Sequence, residues 1–233
     1  MKKILLFGAM TAMALTASAQ RANDADASWM DEGYPSGYNL FEVSYDNTNL
    51  SGKNFKFVDD NSVGLNGFGV GYLHGFNLTK AYPMYLEAGL KWNWGYKNRQ
   101  TKVDGTYLVS KTEMMRLNLP VSFAWRFETG NLSVTPFAGI DFRYNLQIRG
   151  KNEVGGNTDS KWFSYFDEDK MGEDQTWNRF QMGWHVGVRA AYSDFSLGIS
   201  YGTDFIKAFS YNKHGSKAHV NTSNLAIALG YCF

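Results

Sequence analysis

A single cysteine, Cys232, in 233 residues removes any intrachain disulfide from the fold. Proline is nearly as scarce, with 4 in the chain, so little in the sequence interrupts extended backbone. Neither sign of charge dominates: 23 Lys and Arg stand against 22 Asp and Glu, without the basic excess that marks a nucleic-acid partner. Long apolar runs are missing too. After residue 20 no stretch approaches the roughly 20 apolar residues that a membrane helix needs. A closed barrel remains open to this chain. It satisfies its backbone hydrogen bonds between strands and can span lipid with weakly hydrophobic segments.

The first residues carry an export signal. Lys2 and Lys3 form a basic start, residues 4–15 a short apolar run, and Ala17-Ser18-Ala19 a small-residue cleavage site. The run is too short for an anchor, so residues 1–19 are expected to be a signal peptide and the mature chain to begin at Gln20. Cys232 is far from that site and cannot be an acylated cysteine there. Residues 21–37 are polar, partly acidic and without period. Residues 20–37 therefore form an expected flexible periplasmic lead, with one domain over 38–233.

What the chain has in quantity is glycine, 24 residues, and aromatics, 16%. Both fall on alternating stretches. In residues 84–96, Met84, Leu86, Ala88, Leu90, Trp92, Trp94 and Tyr96 alternate with Tyr85, Glu87, Gly89, Lys91, Asn93 and Gly95. Period two over this length predicts one strand with two unlike faces. Seven further segments repeat the pattern: 38–45, 63–78, 112–127, 132–149, 178–192, 195–205 and 221–233. The connections 79–83, 128–131 and 193–194 are short; 46–62, 97–111, 150–177 and 206–220 are long. Short and long alternate strictly, which puts all short turns at one end. The expected fold is all-β: an eight-stranded, antiparallel, up-and-down transmembrane barrel with long external loops and short periplasmic turns.

Packing decides which face is inside. Eight strands enclose a space just wide enough for side chains to fill. The large apolar set cannot fit there, so the polar set, rich in glycine and pairable charges, goes in. The aromatics also sort by height. Tyr45, Trp92, Trp94, Tyr96 and Tyr144 fall toward the loop end; Phe76, Trp125, Phe127, Tyr192, Phe195, Tyr231 and Phe233 fall toward the turn end. Two such girdles are the pattern of a membrane barrel.

The stretches Gly67-Phe68-Gly69-Val70-Gly71-Tyr72, Tyr85-Leu86-Glu87-Ala88-Gly89-Leu90, Leu117-Asn118-Leu119-Pro120-Val121, Thr135-Pro136-Phe137-Ala138-Gly139-Ile140 and Leu229-Gly230-Tyr231-Cys232-Phe233 occur in order. On these the chain resembles the PorT-like outer membrane protein beta-barrel domain family over residues 38–233. The resemblance implies fold and outer-membrane location, and no shared activity. It also implies that Phe233, a C-terminal aromatic, acts as the signal read by the barrel-assembly machinery.

The inward set predicts a lumen charge network of Glu42, Glu87, Lys91, Arg116, Arg126, Asp141, Arg143, Arg149, Arg179, His185, Arg189 and Asp204, read as structural pairing because isolated buried charges are costly. Its basic excess would favour anions if a solute passed. Of the other histidines, His74 takes the lipid-facing register, and His214 and His219 share the last external loop. No histidine stands near a serine at i, i+2 close to a rim, so no catalytic residue, metal ligand or cofactor site is expected. Residues 150–177 are the candidate contact loop, with Trp162, Phe163, Tyr165, Phe166, Asp167 and Asp169 as its recognition residues; the same loop could instead fold over the mouth. Asp167-x-Asp169-x-x-Gly172 has the start of a calcium loop, but Met171 takes a ligand position and Asn178 stands where a glutamate belongs. The expected partners are the lipid bilayer and lipopolysaccharide, the assembly machinery, and an external protein or ligand. The expected role is structural or surface-interaction. A narrow pore, or an accessory barrel linked to secretion, is the alternative.

Overall fold

The computed structural model describes residues 35–55, 61–103, 105–155, 160–167, 177–213 and 216–233. The signal peptide, most of the lead, Asp169 and His214 lie outside these. Eight long strands carry the fold: β1 (Gly37–Lys53), β2 (Ser62–Asn77), β3 (Met84–Val103), β4 (Thr106–Trp125), β6 (Leu132–Val154), β8 (Phe180–Tyr192), β9 (Phe195–Asp204) and β11 (Ser216–Cys232). Three short strands attach to them: β5 (Phe127–Thr129), β7 (Phe163–Ser164) and β10 (Phe209–Lys213). Each long strand pairs antiparallel with the next, and β11 returns to β1 in register from Leu40↔Cys232 to Lys53↔His219. The sheet is a closed ring. At the seam the Asn39 and Phe233 backbones exchange both hydrogen bonds at 3.0 Å.

The turns of the short end are tight. Gly130 (φ 56°) turns the chain between β5 and β6, and Ser193 (φ 54°) does so between β8 and β9, both left-handed. At the other end the strands run further than alternation alone had placed them. Residues 97–111, expected as a long loop, are mostly ladder, from Lys97↔Thr112 to Val103↔Thr106 around Gly105 (φ 81°). Residues 206–220 likewise hold the β10–β11 hairpin. Both are external extensions of the wall.

The faces sort by polarity, inverted relative to a barrel in water. Phe41, Val43, Phe68, Phe123, Ile140, Phe142, Val186, Leu197, Ile199, Ile227 and Leu229 point out and are exposed; Glu42, Ser44, Asp46, Glu87, Arg116, Asp141, Arg143, Gln181 and Arg189 point in and are buried. Close approach of neighbouring strands explains inward glycine. A Cβ at Gly67 would stand 1.7 Å from the Trp94 carbonyl oxygen, and one at Gly75 would strike the Tyr38 ring at 2.7 Å.

One irregularity changes what the external half encloses. Between β4 and β6 the register steps from Met115↔Gln147 to Arg116↔Asn145, leaving Leu146 as an extra residue. Below this bulge Asp141, Arg143 and Asn145 face in; above it Ile148 does, fully buried. Continuous alternation had put Ile148 outside and Arg149 inside, and the bulge reverses both. Ile148 joins Leu50, Val63, Leu65, Met114, Trp177, Ala208, Phe209 and Val220 in an apolar core beneath the external loops. Tyr38, Tyr85 and Ala124, with Phe137 against them, make a smaller apolar floor at the turn end. The lumen is thus polar in the middle and flanked by apolar clusters at both ends.

Candidate functional site

The polar layer is a set of linked pairs. Glu87 on β3 is 1% exposed. It accepts from Arg189 Nη1 on β8 at 2.8 Å and from the Tyr38 hydroxyl on β1. Lys91 pairs with Glu42. Arg143 bridges Asp141, at 2.6 Å, and Asp204. Gln181 donates to Asp204 at 2.6 Å, and Asn145 donates to Gln181 at 2.7 Å. Arg116 is buried, donates to Thr48 Oγ1 at 3.2 Å, and keeps its Nη1 without a hydrogen bond. Strand alternation turns these groups inward, so Glu87 meets Arg189, Glu42 meets Lys91 and Asp204 meets Arg143 from non-adjacent strands, while Arg143 and Asp141 pair along β6.

Three members of the expected network sit elsewhere. Arg126 is at the turn end, paired with Glu128 at 2.7 Å and over the Tyr38 ring. Arg149, turned out by the bulge, pairs with Glu113 at 2.5 Å. Arg179 is exposed at the rim: β8 begins at Phe180, so Arg179 precedes the alternation that would have turned it inward. Its guanidinium donates to the Leu146 carbonyl and lies 4.2 Å from the Phe166 ring centroid. Asp46, counted as loop from the sequence, is 3% exposed inside the lumen and accepts from Asn93 at 2.8 Å. Its signal was present: it continues the even-numbered alternation of Glu42 and Ser44. With these changes the carboxylates Glu42, Asp46, Glu87, Asp141 and Asp204 face Lys91, Arg116, Arg143 and Arg189. The basic excess read from the sequence disappears.

The lumen also assembles a constellation that sequence spacing could not reveal. Ser122 Oγ lies 2.7 Å from His185 Nε2, and His185 Nδ1 lies 3.0 Å from Asp141 Oδ1. They come from β4, β8 and β6, so no i, i+2 search finds them. The types and order are those of a nucleophile, base and orienting acid. The surroundings oppose that use. The His185 Nδ1 contact lacks hydrogen-bond alignment, Asp141 is held by Arg143, and the cavity they line is about 60 Å³. At about 10–15 Å³ per water this is room for a few waters, not for an acyl substrate. The set is a hydrogen-bonded node of the network.

In the external loop the described residues 160–167 and Trp177 are tied down. Phe163 packs on Gly150, where a Cβ would come within 2.7 Å of its ring. Tyr165 and Phe166 pack against the apolar core, and Trp177 is 4% exposed within it. Burial pushes the Tyr165 phenol up to about 12. Trp162 lies over Arg149 at 4.7 Å. The aromatic residues expected as a recognition surface are half-buried, and the Asp167 amide bonds the Ser164 carbonyl at 3.2 Å. These described residues pack onto the external core.

The outward band ends in aromatics at both heights. Trp94 stacks on Tyr96 with centroids 6.2 Å apart and donates through Nε1 to Glu113 at 2.8 Å. Tyr231 stacks near Phe233 at 6.0 Å. A ring with an apolar body and a wet polar edge suits the boundary of a bilayer. Above it Lys111 and Lys151 both donate to Glu153, holding its carboxyl below the usual range.

No protein-family model and no curated protein matches this chain. Among solved structures it is similar to Ail, the attachment invasion locus protein of Yersinia pestis, at 12% identity over 85% of this chain and 100% of that one, with a TM-score of 0.45. It is similar to Neisserial surface protein A, NspA, at 12% identity over 86% of this chain and 99% of that one, TM-score 0.44. It is similar also to the outer membrane enzyme PagL at 10% identity over 82% and 98%, TM-score 0.38.

Proposed function

We propose that this chain is an integral outer-membrane barrel with a structural or surface-interaction role, closed to solutes and without catalysis. The observation that carries the reading is the inversion of polarity. A continuous apolar band on the outside of a closed ring exceeds by far the patch a soluble monomer exposes. The same band is required against lipid, and its paired aromatic girdles support a bilayer setting. Lipid and lipopolysaccharide are then its immediate surroundings, Phe233 its assembly signal, and the external loops its contact surface. The mature protein should fractionate with the outer membrane and migrate differently on gels before and after boiling. A soluble, boiling-indifferent chain would overturn the reading.

A second reading, the narrow pore, has its own observation. β9 and β11 line the lumen with Gly198, Ser200, Gly202, Ala226 and Ala228, and the Lys91 side chain opposite keeps 23% exposure. The void along that wall is the remaining path for water and ions. Single-channel recording in planar bilayers separates the two: a silent bilayer sinks the pore, and steady unitary conductance sinks the closed barrel. The resemblance to the PorT-like family supports an accessory role in secretion as a further reading. It predicts a secretion defect on deletion.

A further inference from the structure

The external end holds a second cavity, unrelated to the lumen. It is a half-open pocket of about 370 Å³ lined by Lys53, Asn54, Lys207, Ser210, Tyr211, Ala218 and His219. The strand register builds it: Lys53 at the end of β1 is the Cα partner of His219 on β11, and His219 is in turn the partner of Ser210 on β10. Lys207, just ahead of β10, completes the ring. Among the described residues that line it, every side chain except Ala218 carries a hydrogen-bond donor and none is a carboxylate. Lys91, Lys111, Lys151, Arg126, Arg143, Arg149 and Arg189 all have carboxylate partners. Among the described residues Lys53 and Lys207 have no ion pair. Their charges add at His219, whose proton burial, Lys207 and Lys53 disfavour, in that order.

We propose that Lys53, Lys207 and His219, with Ser210, Asn54 and Tyr211 between them, bind a sugar carrying a phosphate or sulfate group. Ammonium groups act as point charges and suit a tetrahedral oxyanion in any orientation. The volume falls within the range of ligand sites and exceeds what a lone oxyanion fills, leaving room for a sugar beside it. Height narrows the source. Lys53 lies eight residues beyond Tyr45 of the loop-end girdle, about 20 Å of tilted strand. That is above the acyl layer, among saccharides: the phosphorylated core of lipopolysaccharide, or a sulfated glycan from outside. The assignment rests on the external orientation proposed above.

The test uses the full mature chain refolded in detergent, with boiling-dependent migration checked first, so that failure of the barrel and failure of the site read separately. Calorimetric titration with a sulfated oligosaccharide, and with lipopolysaccharide before and after enzymatic dephosphorylation, gives the affinities. Lys53→Gln and Lys207→Gln should each weaken binding at least fivefold and together at least thirtyfold; Lys102→Gln, on the β3–β4 hairpin, should leave it unchanged. Binding that dephosphorylation abolishes assigns the lipopolysaccharide core, and binding of the sulfated sugar alone assigns an outside glycan. A folded barrel that binds neither, or a double variant that binds like wild type, overturns the proposal.

Discussion

Glu87 ties more of the lumen together than its place in an alternating strand announces. Its inward direction follows from period two, but its partners come from 102 and 49 residues away, a separation no local pattern encodes. Replacing it by Gln leaves the Arg189 guanidinium buried without a counter-charge. Glu87→Gln should cost about 3–5 kcal/mol in urea unfolding from lipid vesicles, and adding Arg189→Met should recover most of it. Equal stability of Glu87→Gln and wild type would contradict the pairing. At the other end of the molecule His219 lines one pocket with Lys53 from β1, Lys207 from the segment ahead of β10 and Tyr211 from β10. Its imidazole is held below the usual histidine value and is neutral at pH 7. A bound anion favours the imidazolium and raises that value, so binding takes up a proton and affinity must rise as the pH falls. With a sulfated oligosaccharide, which does not itself titrate, affinity should climb as the pH is lowered from neutral into the acidic range. His219→Gln should flatten the profile. A flat wild-type profile would remove His219 from the site.

Among the elements, the bulge at Leu146 has the largest consequence. Seven strands keep one inward parity throughout, and there the sequence reading of faces matches the structure. β6 does not, because one extra residue reverses every direction after it. That reversal turns Ile148 into the external core and frees Arg149 to hold Trp162. No residue type at 145–147 marks the position, so alternation runs through it unbroken on paper. The packing of residues 162–166 on this core depends on Trp177, which meets Tyr165 at 4.7 Å and Phe209 at 6.0 Å between centroids. Trp177→Ala should cost about 3–5 kcal/mol. It should also make the segment around Lys161 cleavable by trypsin in intact cells. Conductance should stay absent, because Tyr38 and Tyr85 still form the apolar floor. Wild-type trypsin resistance of this variant would show that these residues are held elsewhere.

At the scale of the whole molecule, the inverted barrel is a statement about solvent. Ile199 is 47% exposed on the outer face between the girdles, one residue from inward Gly198. Ile199→Arg should impair insertion by about 2–4 kcal/mol if it lies near the midplane, read as loss of the boiling-dependent band. Lys91→Gln, inside, should retain that band. Equal behaviour of the two would reverse the assigned faces. The sequence by itself determined the eight strands through their central stretches, their faces short of the β6 bulge, and the solvent they require, because each of these follows from a two-residue period and from the volume eight strands can enclose. Only the tertiary structure decided which charges meet, that carboxylates balance cations in the lumen, and that Tyr165, Phe166 and Trp177 pack onto the external core. It alone set Lys53, Lys207 and His219 around one pocket. Closure of the ring brings together positions more than a hundred residues apart, and an extra residue in one strand shifts what lies opposite what. Neither leaves a mark in the local order of side chains.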